Sequence, residues 1–175
     1  MRRTTLATAA LLLSGCTAAT GGTLPTTPAP SAAVREPPGQ RICAGANQED
    51  FDPGLGSRIV TSGPAALLAF GLAERPTPTA TVRSFKLAVR AEPGADFTVT
   101  TGTPGTALLF DRAKYRRDNT YTLADGAPDY RFTGCPDRRA LWVGSLLTTG
   151  PATVSLTIRY GGADHDITVT AYRRR

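Results

Sequence analysis

Few residues in this chain can do chemistry, and their scarcity bounds what the chain does. Among 175 residues three are cysteine and one is histidine. A serine nucleophile needs a base to take its proton, and the one histidine, His165, stands between Asp164 and Asp166 at the start of an alternating run. That is the place of a strand-end side chain beside a turn. Neither a Gly-x-Ser-x-Gly elbow nor a Ser-x-x-Lys motif occurs, which removes the common serine-hydrolase signatures. Two carboxylates about 5–10 Å apart in space hydrolyse a glycosidic bond, and the 14 Asp and Glu residues leave that chemistry open. The densest acidic group, Glu49-Asp50-Phe51-Asp52, lacks the ligand alternation and closing Glu of a calcium loop and reads as a solvated turn. Gly54-Leu55-Gly56 and Gly102-Thr103-Pro104-Gly105 lack the Lys-Ser/Thr ending of a phosphate cradle and read as turns. No metal site or cofactor is expected. Aromatic side chains are the one ligand-like feature: Trp142, with Tyr115, Tyr121, Tyr130 and Tyr172, would furnish flat faces for sugar rings. Trp142 is the candidate contact, although its place between Leu141 and Val143 also fits a core strand, the plainer of the two readings.

The third kind of chemistry is covalent attachment. Met1-Arg2-Arg3 is basic, and Leu6 to Leu13 is apolar over far fewer residues than the ~20 that span a bilayer. This is the pattern of an export signal. Directly behind it, Leu13-Ser14-Gly15-Cys16 resembles the lipobox of bacterial lipoproteins. The resemblance implies cleavage after residue 15 and a diacylglyceryl thioether on Cys16. Two acyl chains, at roughly 0.8 kcal/mol per buried CH₂, anchor stably where one would be reversible. The expected location is the extracellular face of the cell membrane, with the membrane itself as partner through Cys16. From Thr17 to Gly39 the chain is Thr, Ala, Pro and Gly with only Leu24 and Val34 bulky and apolar, so residues 16–39 read as a lipidated tether. Its roughly 23 unstructured residues reach about 25–70 Å. With Cys16 taken, Cys43 and Cys135 allow one pairing in an oxidising compartment, and a disulfide is expected. Closing a loop of roughly 90 residues stabilises by about 4–5 kcal/mol in the chain-entropy model.

Residues 40–175 must position whatever site exists. They suffice for one domain, and a composition of 41% hydrophobic residues supplies its core. Fourteen Pro and 18 Gly point to many turns and short elements. The net charge of +6 is spread along the chain, with Arg116-Arg117 and the terminal Arg173-Arg174-Arg175 as the clusters, so no nucleic-acid footprint appears. The terminal arginines read as a solubilising tail, with anionic lipid or wall phosphate as the other candidate contact.

Alternation marks the strands. Thr153 to Tyr160 and His165 to Tyr172 flank Gly161-Gly162-Ala163-Asp164 and form a hairpin. Further strands are expected at Thr81 to Arg90, Asp96 to Thr101, Ala107 to Phe110, Arg58 to Thr61, Asn119 to Leu123, Tyr130 to Phe132 and Ala140 to Val143. Pro64 to Glu74 is ambiguous: Ala and Leu favour a helix with Ser62 as N-cap, while Gly71, Pro76 and Pro78 cut it short, and strand is slightly the better reading. The expected fold is all-β, a sandwich of about eight to ten short antiparallel strands.

Tyr130-Arg131-Phe132-Thr133-Gly134-Cys135-Pro136, then Trp142 to Leu146 and Gly150 to Leu156, resembles the C-terminal part of uncharacterised secreted proteins and lipoproteins of actinobacteria. In those chains a second cysteine often follows the Gly-Pro pair, where this one has Ala152 and Thr153. The resemblance implies no activity. The functional expectation is a lipid-anchored, extracytoplasmic, non-catalytic module that binds a cell-wall component or a protein partner. The alternative is an accessory subunit of a membrane transporter or sensor complex, and a carboxylate-dependent wall-glycan enzyme comes third.

Overall fold

A period of two puts apolar side chains on one side of an extended chain and polar ones on the other. The computed structural model describes residues 36–47, 59–71, 81–150 and 153–173. In chain order the strands are β1 (Gln40–Arg41), β2 (Val60–Ser62), β3 (Ala65–Gly71), β4 (Arg83–Ala91), β5 (Asp96–Thr101), β6 (Thr106–Leu109), β7 (Asp129–Thr133), β8 (Ala140–Thr148), β9 (Thr153–Tyr160), β10 (Ala163–Thr170) and β11 (Tyr172–Arg173). One sheet has the order β1-β7-β5-β9-β10, the other β11-β3-β4-β8-β6 with β2 beside β3. Among the described strands every pairing is antiparallel except β1 on β7 and β11 on β3. The protein is an all-β sandwich, and the inward residues of both sheets share one core.

That core is built around Phe132, which is fully buried, with the rings of Phe97, Phe110 and Trp142 centred 5.5, 5.1 and 5.3 Å away. Aromatic pairs at such distances add stabilisation beyond their buried area. Trp142 is 2% exposed, and its indole N–H donates to the Ile42 carbonyl at 3.2 Å. The expectation that Trp142 contacts a ligand is therefore corrected: the ring is a core wedge, with no face open to a sugar.

The β9–β10 hairpin turns through Gly161 (φ 59°) and Gly162 (φ 80°). Two consecutive left-handed residues match the twist of the strands, and glycine adopts them without strain. The run expected to continue to Tyr172 breaks at Ala171, where the chain leaves one sheet and enters the other as β11. The ambiguous stretch after Pro64 is strand β3. Ala65, Leu67 and Ala69 face the core, while Ala66 and Leu68 on the opposite side are also buried. A strand buried on both faces reads as an unbroken apolar run, which periodicity cannot separate from a helix.

Asn119 to Leu123 is not a strand. Asn119 has φ 53°, which no extended run accommodates, and the chain then closes a 3₁₀ turn at Leu123–Asp125. Glu36, within the stretch read as tether, already contacts the sandwich: its carboxylate pairs with Arg41 and accepts from the Ile42 amide at 2.9 Å. Cys16, residues 1–15 and the acidic group at 49–52 lie outside the described residues. No helix among the described residues is long and apolar enough to cross a membrane.

Candidate functional site

The site forms on the outward face of the second sheet. In β4, Phe85, Leu87 and Val89 enter the core, so Ser84 and Lys86 point the other way. In β8, Trp142 and Leu146 enter the core and Val143 and Ser145 point outward. The antiparallel register sets Lys86 directly opposite Ser145, a placement in which side chains on one face meet.

Over this face passes the segment from Asp111 to Ala127. It begins with a 3₁₀ turn at Arg112–Lys114, capped by the Asp111 carboxylate, which accepts from the Ala113 amide at 3.0 Å. Tyr115 then lies down on the sheet. Strand β6 stops at Leu109, opposite Ser145, and just beyond that point the Tyr115 hydroxyl donates to the Val143 carbonyl at 2.8 Å. The hydroxyl end is desolvated while the residue as a whole stays 40% exposed. Desolvation pushes the phenol up to about 12, against the opposing pull of Arg41 and Arg112.

Arg116 fastens the rest of the segment. Its backbone amide donates to the Tyr121 hydroxyl at 3.1 Å, Nη1 donates to the Thr120 carbonyl at 3.1 Å, and Nη2 meets Asp125 Oδ1 at 2.8 Å. Asp125 in turn accepts from the Thr122 amide and hydroxyl at 2.8 and 3.0 Å. That backbone amide, then the Thr122 hydroxyl and the nearby positive charge of Arg116, hold the Asp125 carboxyl below the usual carboxylate range. Asp118 is held low in the same way, by Thr120. Underneath, Tyr121 and Leu123 pack on Val82, Ala107, Leu109 and Leu147, a second small apolar cluster outside the main core. Alternation at Tyr121 and Leu123 thus has a physical origin, although the backbone there is not a strand.

Between the segment and the sheet lies a groove of about 240 Å³. Ser84, Lys86, Val143, Gly144 and Ser145 form the sheet side, and Tyr115, Arg116, Asn119 and Tyr121 the loop side. The lining supplies two phenol rings, hydroxyls, an amide and two cations. Gly144 shares the inward parity of Trp142 and Leu146, and a Cβ there would collide with the Phe110 ring and the Leu109 carbonyl.

Of the residues named from sequence, Tyr115 and Tyr121 reach the groove, while Tyr130 is 3% exposed in the core beside Phe110. Cys43 and Cys135 form the expected disulfide, 92 residues apart. It lies by the N-terminal segment, with Arg138 Nη2 3.8 Å from Cys43 Sγ. His165 stacks on Tyr160 with ring centroids 4.2 Å apart. Among the described residues no group of His, Cys, Asp and Glu is arranged to hold a metal ion. Sequence reasoning missed Lys86, Arg116, Asn119 and Ser145. Their only forward signals were a lysine on the polar parity of an apolar strand and the unbroken polar run Arg116-Arg117-Asp118-Asn119.

No protein-family model matches the chain, and no curated protein matches it in sequence.

Proposed function

We propose that this chain is a lipid-anchored, extracytoplasmic binding module that presents a saccharide-binding groove to the cell wall. The observation that carries the reading is the meeting of Tyr115 and Tyr121 with serine hydroxyls and the Asn119 amide in one groove on a packed sheet. Sugar rings have apolar C–H faces for aromatic rings and hydroxyls for polar side chains, and this lining offers both. It offers these and two cations rather than a pair of carboxylates, which favours binding over glycan hydrolysis.

Anchoring is supported by Leu13-Ser14-Gly15-Cys16 behind a basic and apolar start, and export by the Cys43–Cys135 disulfide, a bond that persists in oxidising compartments. The resemblance of residues 130–156 to actinobacterial lipoproteins points the same way.

The test is retention of the purified full chain on insoluble cell wall as salt is raised in steps, beside its Tyr115→Ala variant. Retention that survives high salt and falls about tenfold in the variant, the equivalent of ~1.4 kcal/mol, supports the reading. Equal retention of both proteins overturns the groove assignment. Absence of retention, with a membrane protein recovered by crosslinking in intact cells, favours the accessory subunit instead. Anchoring is tested separately, by the mass of the Cys16 peptide and by release of Cys16→Ser from the membrane fraction.

A further inference from the structure

The backbone of the groove carries the reading one step further. We propose that Asn119 sets the specificity of the groove, its carboxamide reading a pair of adjacent hydroxyls on the sugar ring; the inference rests on the saccharide reading above. Among the described residues, six glycines and one other residue, Asn119 at φ 53°, occupy the left-handed region of backbone space. A side chain there costs conformational energy that glycine avoids, and residues held in that region cluster at ligand sites. Asn119 is also one of the residues that line the groove. Residues 112–118 before it are exposed, whereas Asn119 is half-buried, so the polar run comes in from solvent at the position where the backbone is left-handed. Among the described lining residues it alone brings a carboxamide; the other polar groups are hydroxyls and cations.

The turn that sets this backbone is tied on both sides. The Asn119 backbone amide donates to the Arg116 carbonyl at 3.3 Å, the Thr120 amide donates to Asp118 Oδ1 at 3.2 Å, and the Thr120 carbonyl accepts from Arg116 Nη1 at 3.1 Å. The conformation at residue 119 is therefore in place before any ligand arrives, and binding orders little that folding has not already ordered. Both tyrosine hydroxyls are engaged within the protein, Tyr115 with the Val143 carbonyl and Tyr121 with the Arg116 backbone, which leaves their rings to the C–H faces of a sugar. Hydroxyl recognition then falls to Asn119 and the serines. A carboxamide has two N–H donors and an oxygen with two lone pairs, so it serves a ligand alongside contacts within the protein. It also sets a donor beside an acceptor in one plane, the arrangement that meets two neighbouring hydroxyls, one accepting and one donating. A serine hydroxyl turns about its bond and makes no such paired demand. A ring lacking one of the two hydroxyls leaves half of the facing carboxamide without its partner, and discrimination follows from that loss.

The experiment measures retention of the full chain at high salt on two samples of insoluble cell wall, one untreated and one oxidised with periodate and then reduced with borohydride. Periodate cleaves the carbon–carbon bond of adjacent diols, and reduction of the resulting aldehydes removes any covalent trap for lysine. Wild type is expected to lose about tenfold in retention on the oxidised wall, the scale of one or two hydrogen bonds. Asn119→Gly is expected to be as weak on the untreated wall and to lose nothing further on the oxidised one. A thermal melt should show it folded, since glycine takes φ 53° without strain. Should Asn119→Gly unfold, Asn119→Asp takes its place: aspartate keeps the shape and tolerates the left-handed region but lacks the donors, and it must show the same loss of periodate sensitivity. A merely structural role for Asn119 would lower the melting temperature of the variants and leave their periodate effect intact, which overturns the proposal. Retention that depends on Tyr115 but is equal in wild type and Asn119→Gly, or that periodate leaves unchanged in wild type, likewise overturns it and leaves the saccharide reading standing. Absence of retention, or retention indifferent to Tyr115→Ala, overturns both.

Discussion

The Arg112 guanidinium donates to the Asn47 side-chain oxygen at 3.2 Å, across 65 residues of chain, and reaches the Gly45 carbonyl at 3.4 Å. This contact joins the first turn of the groove segment to the stretch that begins at Cys43. The same stretch is fixed by the disulfide, by the bond from the Trp142 indole to the Ile42 carbonyl, and by the bridge between Asn47 and Leu141. One wall of the groove is therefore held from two sides, by the sheet below through Tyr115 and by the N-terminal segment through Arg112.

Removing the disulfide should be felt in both places. Replacing Cys43 and Cys135 together by serine is expected to lower unfolding stability by about 4 kcal/mol, measured by urea titration, because a loop of ~90 residues is no longer closed in the unfolded state. Amide hydrogen exchange at residues 112–116 should speed up in the same variant. Unchanged exchange there would show that the groove segment stands independently of the disulfide.

The Tyr115 phenol should titrate late. Of the five tyrosines, Tyr115 is pushed up to about 12 by desolvation against β8. A raised phenol contributes stability that is whole below the unfolded value of about 10 and is lost as pH climbs towards the folded value. Ultraviolet titration of the phenolates should show a component that ionises well after pH 10 and that Tyr115→Phe removes. A wild-type curve that is complete by about pH 11 would count against the buried hydroxyl.

Asp125 sets the acid limit of the groove segment. Its carboxyl is held low, first by the Thr122 amide, so the stability it lends is present above about pH 4, the unfolded value, and fades as pH falls through the lower folded value. Asp125→Asn should be less stable than wild type at neutral pH, and the difference in urea midpoint should vanish at strongly acidic pH. A difference constant down to about pH 2 would mean that the carboxylate charge plays no part.

Phe132 is the most sensitive core position. Its ring is fully buried among three others, and Phe132→Ala should destabilise by about 3–5 kcal/mol through lost burial and the cavity left behind. Trp142→Phe keeps most of the volume and leaves the Ile42 carbonyl without its indole donor, a loss of about 1–3 kcal/mol. Urea midpoints rank the two, and a larger effect for Trp142→Phe would contradict the packing described.

What could be read ahead of the structure divides along local and distant contacts. β9 was legible at both ends because Val154, Leu156 and Ile158 alternate with polar residues between turns. β3 was ambiguous because both its faces are buried, so no polar parity marks it. Asn119 to Leu123 misled because Tyr121 and Leu123 are apolar for a reason other than strand pairing, their packing on Leu109 and Leu147. Trp142 was open to two readings because a buried tryptophan and a ligand platform use the same residue type. The groove itself depends on the register of Lys86 with Ser145 and on Tyr115 reaching Val143, 28 residues away. Neither follows from any pattern in a single segment.

The disulfide also decides where mechanical load would travel. In the proposed arrangement, with the N-terminus at the membrane and the groove at the wall, the chain would be pulled between those two points. Tension can strip residues 36–42 from β7 and the Trp142 contact, but it meets a covalent stop at Cys43. From there it passes straight to Cys135, a few residues before β8. Strands β2 to β7, and the loop side of the groove with them, lie inside the closed loop, so tension arriving from the N-terminus cannot peel them off one after another from that end.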